Sequence, residues 1–303
     1  MKVIFFGLGS IGKRHLSNLQ SIAIERELPL TIHALRSGKR TENDSPGVKN
    51  VYSLDEIDAD YDIAFITNPT ALHYQTLLDL RNKANFFFVE KPLFEMNYDL
   101  EPFIENSENY YIAAPLRYKK VMQIAESIIR EEQVLHARVL CSSYLPSWRK
   151  DNYTKSYSAN PKLGGGVELD VIHELDYVTH LFGIPEQHFA MFGKISPLEI
   201  QSNDTANYLL KYPNAFVEVH IDYFGKFSKR TLELITENDN IVIDFYNNNV
   251  HYGIADQIVQ FEEAANDMYI KELTYFLDNV IQQKENANDL RHAASVLKIA
   301  KES

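Results

Sequence analysis

One cysteine, Cys141, stands in 303 residues, so no disulfide can close within the chain. A reducing compartment, the cytoplasm, is expected. Cys141 follows Val139-Leu140 in a strand-like run and reads as buried filler, not as a nucleophile. Basic residues are also in short supply. Against 42 acidic side chains there are 30 Lys and Arg, a net charge of −12. That balance argues against nucleic acid or an anionic membrane as a partner. Long apolar runs are missing: nothing approaches the roughly 20 residues of a membrane span, and the opening "MKVIFFGLGS" is too short an apolar run for a secretory leader. Glycine is sparse, 12 in all, so the two places where it clusters stand out.

What is present is ordinary globular material, 45% hydrophobic and 24% charged. The length is comfortable for two domains. Residues 1–114 alternate apolar runs (3–6, 31–35, 62–67, 86–90, 110–114) with amphipathic stretches. Strands that are apolar throughout predict a parallel sheet covered on both faces. Residues 115–303 have another rhythm. A helix in "RYKKVMQIAESIIREE" precedes "VLHARVLCSSY", and from about 187 to 245 strand-like runs follow one another through turns at Pro213-Asn214 and Asn238-Asp239-Asn240. Strands in series predict an open antiparallel sheet. Two closing helices are expected at roughly 260–284 and 288–301. No low-complexity linker separates the two parts.

The first glycine cluster is "GLGSIG", directly after a strand and opening a helix. Gly7 permits a tight turn and Gly9 lets backbone approach a diphosphate. Gly12 allows close helix–strand packing, and the N–H groups of Ser10 and Ile11 open the helix. The acid that would hold a ribose 2′-hydroxyl at the end of the second strand is missing. "LRSGKR" offers Arg36, Ser37, Lys39 and Arg40, and Arg36 with Ser37 suits a 2′-phosphate, so NADP is favoured over NAD. Glu90-Lys91-Pro92 ends another apolar strand, where ligands of such sheets bind. Thr67, Asn68 and His73 fall at the same edge, and with Glu90 and Lys91 they are expected to contact the cofactor.

The second cluster opens "GGGVELDVIHELD". Three glycines let the backbone turn tightly and approach a ligand. A helix is expected after them, with Asp170 and His173, three apart, on one face towards the ligand. Imidazole titrates near neutral pH and suits removal of a hydroxyl proton as hydride leaves. Lys91 would hydrogen-bond the same oxygen. Asp176, three residues beyond His173, could substitute for Asp170. With no second histidine or cysteine pair in the segment, no metal is expected. Upstream, Trp148, Arg149 and Tyr153 suit a sugar: ring faces stack on aromatics while Arg149 bonds the rim, or pairs with a carboxylate or phosphate.

Taken together, Gly7-x-Gly9-x-x-Gly12 with His15, Thr67-Asn68-Pro69 with His73, Glu90-Lys91-Pro92, the triple glycine and "YIKELTYF" near the C-terminus resemble the Gfo/Idh/MocA oxidoreductases over nearly the whole chain. The resemblance implies a Rossmann domain with a doubly wound parallel sheet, then an α/β domain whose open, mostly antiparallel sheet forms a homo-oligomer interface, as dimer or tetramer. It also implies hydride transfer between a nicotinamide and a sugar, cyclitol or nucleotide-sugar. Lys91 would be the catalytic lysine, with Asp170 and His173 the acid and histidine of the second domain. The spacing departs from the family pattern, in which the acid and histidine are four apart with a glycine between. The stretch from Tyr144 through Trp148-Arg149 resembles a branch found with bacterial surface-sugar biosynthesis. Two other classes share these features: a dinucleotide-binding regulator without chemistry, and a glycoside hydrolase using tightly held NAD.

Overall fold

A computed structural model describes residues 1–36, 38, 45–57 and 60–302. The Ser37, Lys39 and Arg40 expectations therefore lie outside the described residues. The chain forms two compact units, 1–113 with 269–294, and 114–268 with 295–303. A segment near the C-terminus thus clusters with the first unit, although the sequence reading grouped it with the second.

The first unit holds a six-stranded sheet made of β1 (Lys2–Phe6), β2 (Thr31–Leu35), β3 (Val48–Val51), β4 (Tyr61–Ile66), β5 (Ala84–Val89) and β6 (Tyr110–Ile112), in the order β3-β2-β1-β4-β5-β6. Every pairing is parallel. Helices α1 (Ser10–Glu25) and α2 (His73–Leu80) follow β1 and β4. One row across the sheet is aromatic. Phe5, Phe65, Phe88 and Tyr111 are cross-strand partners. Phe5 and Phe65 stack at 4.4 Å, and Phe276 sets its edge against Phe88 at 5.3 Å. Such rings bury large apolar areas and orient their neighbours. β3 was not anticipated: "VKNV" carries no apolar run, and pairing with β2 makes it a strand.

The second unit contains an eight-stranded sheet in the order β14-β13-β12-β11-β7-β10-β9-β8. Its strands are β7 (Val134–Tyr144), β8 (Gln187–Gly193), β9 (Thr205–Lys211), β10 (Phe216–Asp222), β11 (Phe224–Thr236), β12 (Asn240–Asp244), β13 (Asn249–Tyr252) and β14 (Gln257–Gln260). All pair antiparallel except β10 with β7. Side-chain alternation divides the faces. The row Ala190, Tyr208, Val219, Val139, Leu232 and Ile243 is buried, while its neighbours Phe189, Leu209 and Glu218 are exposed. Around this sheet lie α3 (Lys120–Glu131), α4 (Val167–Asp170) and α5 (His173–Phe182). The first closing helix begins later than expected, because β14 occupies part of its stretch; α6 runs Asp267–Tyr275, continues as a π-turn over Phe276–Val280, and α7 covers Leu290–Lys301. Among the described residues, no helix is long and apolar enough to cross a membrane.

Two buried ion pairs fix α5. Arg117 clasps Asp176 through two nitrogens at 2.9 and 2.7 Å, and Arg230 of β11 meets Glu174 at 2.7 Å. Burial pushes the Glu174 carboxyl up, with Arg230 acting against it. Breaking such a pair strands a charge away from water. Asp176→Ala is therefore expected to lower the unfolding free energy by about 3–5 kcal/mol, measured by urea denaturation. A loss within the error of the measurement would show that α5 does not depend on the clasp.

Candidate active site

The glycine loop is locked by sterics. Gly7 has φ of 97°, and a Cβ there would lie 2.8 Å from the backbone of Thr67 and Asn68. At Gly12 a Cβ would come within 2.3 Å of the Gly7 carbonyl oxygen. Gly9 differs: among the described residues nothing lies within 4 Å of its missing side chain. That opening is where backbone can approach a diphosphate. Helix α1 begins there, with neither a capping side chain nor an acid in its first turn, so its N–H groups and positive dipole end favour an anion.

Beside the loop is a cleft of about 560 Å³ whose lining includes Gly7, Gly9, Arg36, Tyr52, Asn68 and Leu72. Its lining suits the adenosine and diphosphate portion of a dinucleotide, and Arg36 lies along it. Tyr52 and its neighbours, which follow β3, escaped the sequence reading because β3 itself did.

Thr67, Asn68 and His73 come together at the carboxyl edge as expected, but all three side chains serve the scaffold. Thr67 donates its hydroxyl to the carbonyl oxygens of Gly7 and Phe6. Asn68 donates Nδ2 to Thr76 at 2.8 Å. His73 is 1% exposed, with Nε2 3.0 Å from the Asn68 carbonyl and Nδ1 3.1 and 3.2 Å from those of Leu93 and Pro92. Burial pushes the imidazole down from its ordinary value, with the carbonyls and Glu90 opposing. The sequence reading made His73 a cofactor contact. In the structure both nitrogens face backbone, so the ring instead ties the Asn68 turn to the segment after Lys91.

Glu90 ends β5 with its side chain 12% exposed, and Nε2 of fully buried His15 lies 2.6 Å from its Oε1. Burial alone would raise this carboxyl. The hydrogen bond from His15, together with the charges of His15, Lys91 and His73, outweighs it and holds Glu90 below its ordinary value. Lys91 follows, half-buried, joined to Pro92 by a cis peptide bond.

In the second unit the triple-glycine segment begins a helix that stops early. α4 ends at Asp170, Val171 leaves helical geometry (φ −106°, ψ 27°), and α5 starts at His173. One continuous helix was expected; the structure has a break between the two candidate residues. Asp170 is buried and accepts the Tyr223 hydroxyl at 2.5 Å. The Tyr157 hydroxyl also bonds to Asp170; burial first, then the Asp170 charge, pushes this phenol well above its ordinary range. Neither tyrosine was assigned to Asp170 from sequence, and Tyr223 lies 53 positions away. His173 is half-buried at the head of α5. Asp176, the suggested substitute for Asp170, is instead bound to Arg117.

Trp148, Arg149 and Tyr153 do line one cavity, of about 150 Å³, with Lys155 and Ser158. Trp148 donates Nε1 to Ser143 at 3.1 Å and sets its ring edge-on to Tyr223 at 5.3 Å. Arg149 lies over the Tyr157 ring at 5.4 Å, close enough for a cation–π contact. The cavity wall is thus joined to Asp170 through Trp148–Tyr223 and Arg149–Tyr157. Among the described residues, no group of three or more His, Cys, Asp or Glu is arranged to hold a metal.

No curated protein matches the sequence. Two family models do: the oxidoreductase family with NAD-binding Rossmann fold over residues 1–105, and the GFO/IDH/MocA C-terminal domain over 125–242. The chain belongs to the Gfo/Idh/MocA oxidoreductase family. Solved structures of similar fold include a levoglucosan dehydrogenase in complex with NADH and levoglucosan (TM-score 0.82, 16% identity, covering 99% of this chain and 95% of that one). A UDP-N-acetylglucosamine 3-dehydrogenase from Acidithiobacillus ferrooxidans has TM-score 0.74 at 17% identity, covering 99% and 95%. A myo-inositol 2-dehydrogenase from Lactobacillus plantarum has 0.77 at 19%, again covering 99% and 95%. At these identities the likeness is one of fold.

The glycine geometry of this Gfo/Idh/MocA chain separates folding from binding. Gly9→Ala, with extended backbone and open space, is expected to leave stability within about 0.5 kcal/mol and to weaken NADH binding at least about tenfold, roughly 1.4 kcal/mol. Gly12→Ala is expected to lower stability as well. Fluorescence titration alongside urea denaturation checks both. Unchanged NADH affinity in Gly9→Ala would remove the loop from the binding site.

Proposed function

We propose that this oxidoreductase transfers hydride between a nicotinamide dinucleotide and a secondary alcohol or ketone of a sugar, cyclitol or nucleotide-sugar. The observation that carries the reading is the open face at Gly9, at the uncapped head of α1 beside the cleft lined by Gly7, Arg36 and Tyr52. The residues present fit that group, and when bound its nicotinamide supplies the hydride acceptor or donor. The sugar-bound levoglucosan dehydrogenase of similar fold supports the substrate class.

The division of labour follows from the side chains. The N–H groups of Ser10 and Ile11 and the backbone of Gly9 hold the diphosphate. Thr67, Asn68 and His73 keep the loop edge rigid. Lys91 hydrogen-bonds the reacting oxygen, stabilising a developing alkoxide or polarising a carbonyl. His173 accepts the hydroxyl proton in one direction and returns it in the other. Asp170, held by two phenols, is an anchored acceptor for a substrate hydroxyl, since two of its lone-pair directions are already occupied. Trp148 offers a face for a sugar ring, while Arg149 and Tyr153 bond its rim. Arg36 favours the 2′-phosphate of NADP over the bare ribose of NAD. A nucleotide-sugar of surface-sugar biosynthesis is one candidate substrate.

Lys91→Ala and His173→Ala are each expected to lose at least about a hundredfold in turnover, the scale of a single polarising or acid–base group, while still binding NADH or NADPH. Retained turnover in both would overturn the assignment. Arg36→Asp is expected to weaken NADPH more than NADH; equal effects would leave Arg36 without a role in cofactor choice. Release of a sugar with no net change in a tightly held NAD would support a hydrolase. Cofactor-dependent assembly without turnover of any sugar would support a regulator.

The same proposal extends to assembly. Phe189, Met191, Leu209 and Phe216 are exposed on the outward face of the large sheet, an apolar patch of the kind that a second copy covers. Leu209→Lys is expected to shift sedimentation to a smaller species. A monomeric wild type would end this part of the proposal.

A further inference from the structure

His15 is an expensive residue for its position. Its ring is fully buried, with Phe88 at 4.8 Å, Tyr269 at 6.1 Å and Phe65 at 6.3 Å. An apolar ring or a leucine would fill such a site without a polar atom to satisfy. Nδ1 has no hydrogen-bond partner and no access to solvent, a penalty that an apolar side chain would not carry. Among the described residues, the polar tie of the ring is Nε2 to Oε1 of Glu90, at 2.6 Å. Glu90 directly precedes Lys91, and the two side chains interact through their charges.

We propose that His15 is a positioning residue for the reaction: its Nε2–H fixes the Glu90 carboxylate as the counter-charge of the Lys91 ammonium. A carboxylate accepts only, so Nε2 is the donor in this bond. Without that donor, a carboxyl at the end of an apolar strand loses its main compensation for burial and turns towards the neutral form. Lys91 then loses the negative charge beside its ammonium. The proposal rests on the reading of Lys91 given above, and it adds a residue one helix turn beyond the glycine loop.

Several groups face Glu90 and belong to the balance. His15 comes from α1, His73 from α2, and Lys91 from the same chain segment. Tyr269 stands on α6; burial raises its phenol, Arg14 opposes, and the charges of Glu90 and Glu272 add to the rise. Arg14 also lies over the Tyr269 ring at 4.5 Å. Among these, His15 Nε2 meets the Glu90 side chain at hydrogen-bond distance, 2.6 Å.

The test reads Lys91 directly and needs no substrate. Trace labelling of amines with acetic anhydride, quantified on the Lys91 peptide between about pH 7 and 11, gives the midpoint at which the amine becomes reactive. In His15→Leu the midpoint is expected about one pH unit below wild type, the scale of a lost neighbouring charge. Glu90→Gln is expected to move it as far, and the double variant no further. His15→Gln, which can present an N–H near the place of Nε2, is expected to stay close to wild type. A role confined to packing would leave the midpoint in place in His15→Leu while Glu90→Gln moves it, and that result overturns the proposal. No movement in Glu90→Gln overturns it too, since the carboxylate would then not act on Lys91. Because the labelling is independent of turnover, a failure of the hydride-transfer reading appears separately, as normal activity in Lys91→Ala.

Discussion

The hydroxyl of Thr67 donating to the carbonyls of Gly7 and Phe6 is the contact on which the first unit's chemistry depends. It joins the carboxyl ends of β1 and β4 and fixes the glycine loop at the head of α1. Room for that contact exists because Gly12 and Gly7 lack side chains, each Cβ being excluded by backbone within 3 Å. His73 continues the tie from β4 to the segment after β5, and His15 holds Glu90 at the end of β5. The aromatic row below these ends resists compression, because well-packed interiors transmit strain instead of absorbing it. A residue as far along the chain as Lys91 is thereby placed by the same network that shapes the glycine loop.

The second unit meets a comparable problem with different means. Its candidate residues sit on two short helices separated by a break at Val171, so local hydrogen bonding alone would not hold them. Distant partners do: Tyr223 and Tyr157 on Asp170, Arg230 on Glu174, Arg117 on Asp176. Buried polar groups paired in this way favour one arrangement over its competitors. Cys141 lies in the same interior, where burial pushes its thiol up to about 12; a thiol so raised is a poor nucleophile at neutral pH, in keeping with its reading as filler.

The sequence was most informative where local pattern and chemistry coincide. Strands such as "DIAFIT" and "FFFVE" are apolar without alternation, which identifies a parallel sheet, and the sheet in turn places Glu90-Lys91 at a carboxyl edge. The strand-like runs "YLLKY" and "VEVHID", joined by a turn signal with no helix between, foretold the antiparallel sheet and its turn at Pro213-Asn214. Illegible parts depend on partners far away in the chain. "VKNV" becomes β3 only by pairing with β2, and nothing near Asp170 announces Tyr223. Nor could spacing reveal that Asp176 belongs to Arg117, 59 positions away, or that His73 would have both nitrogens turned to backbone. The three-residue spacing of Asp170 and His173 suggested one helix face; the break at Val171–Ile172 replaced that simple geometry.

The measurement that bears most directly on the account is a structure of the protein with NADH or NADPH bound. The diphosphate is expected against the backbone of Gly9, Ser10 and Ile11 at the head of α1, the adenosine along the cleft that Arg36 and Tyr52 line, and the nicotinamide beside Lys91. A dinucleotide seated elsewhere, or one whose nicotinamide lies away from Lys91, would contradict it.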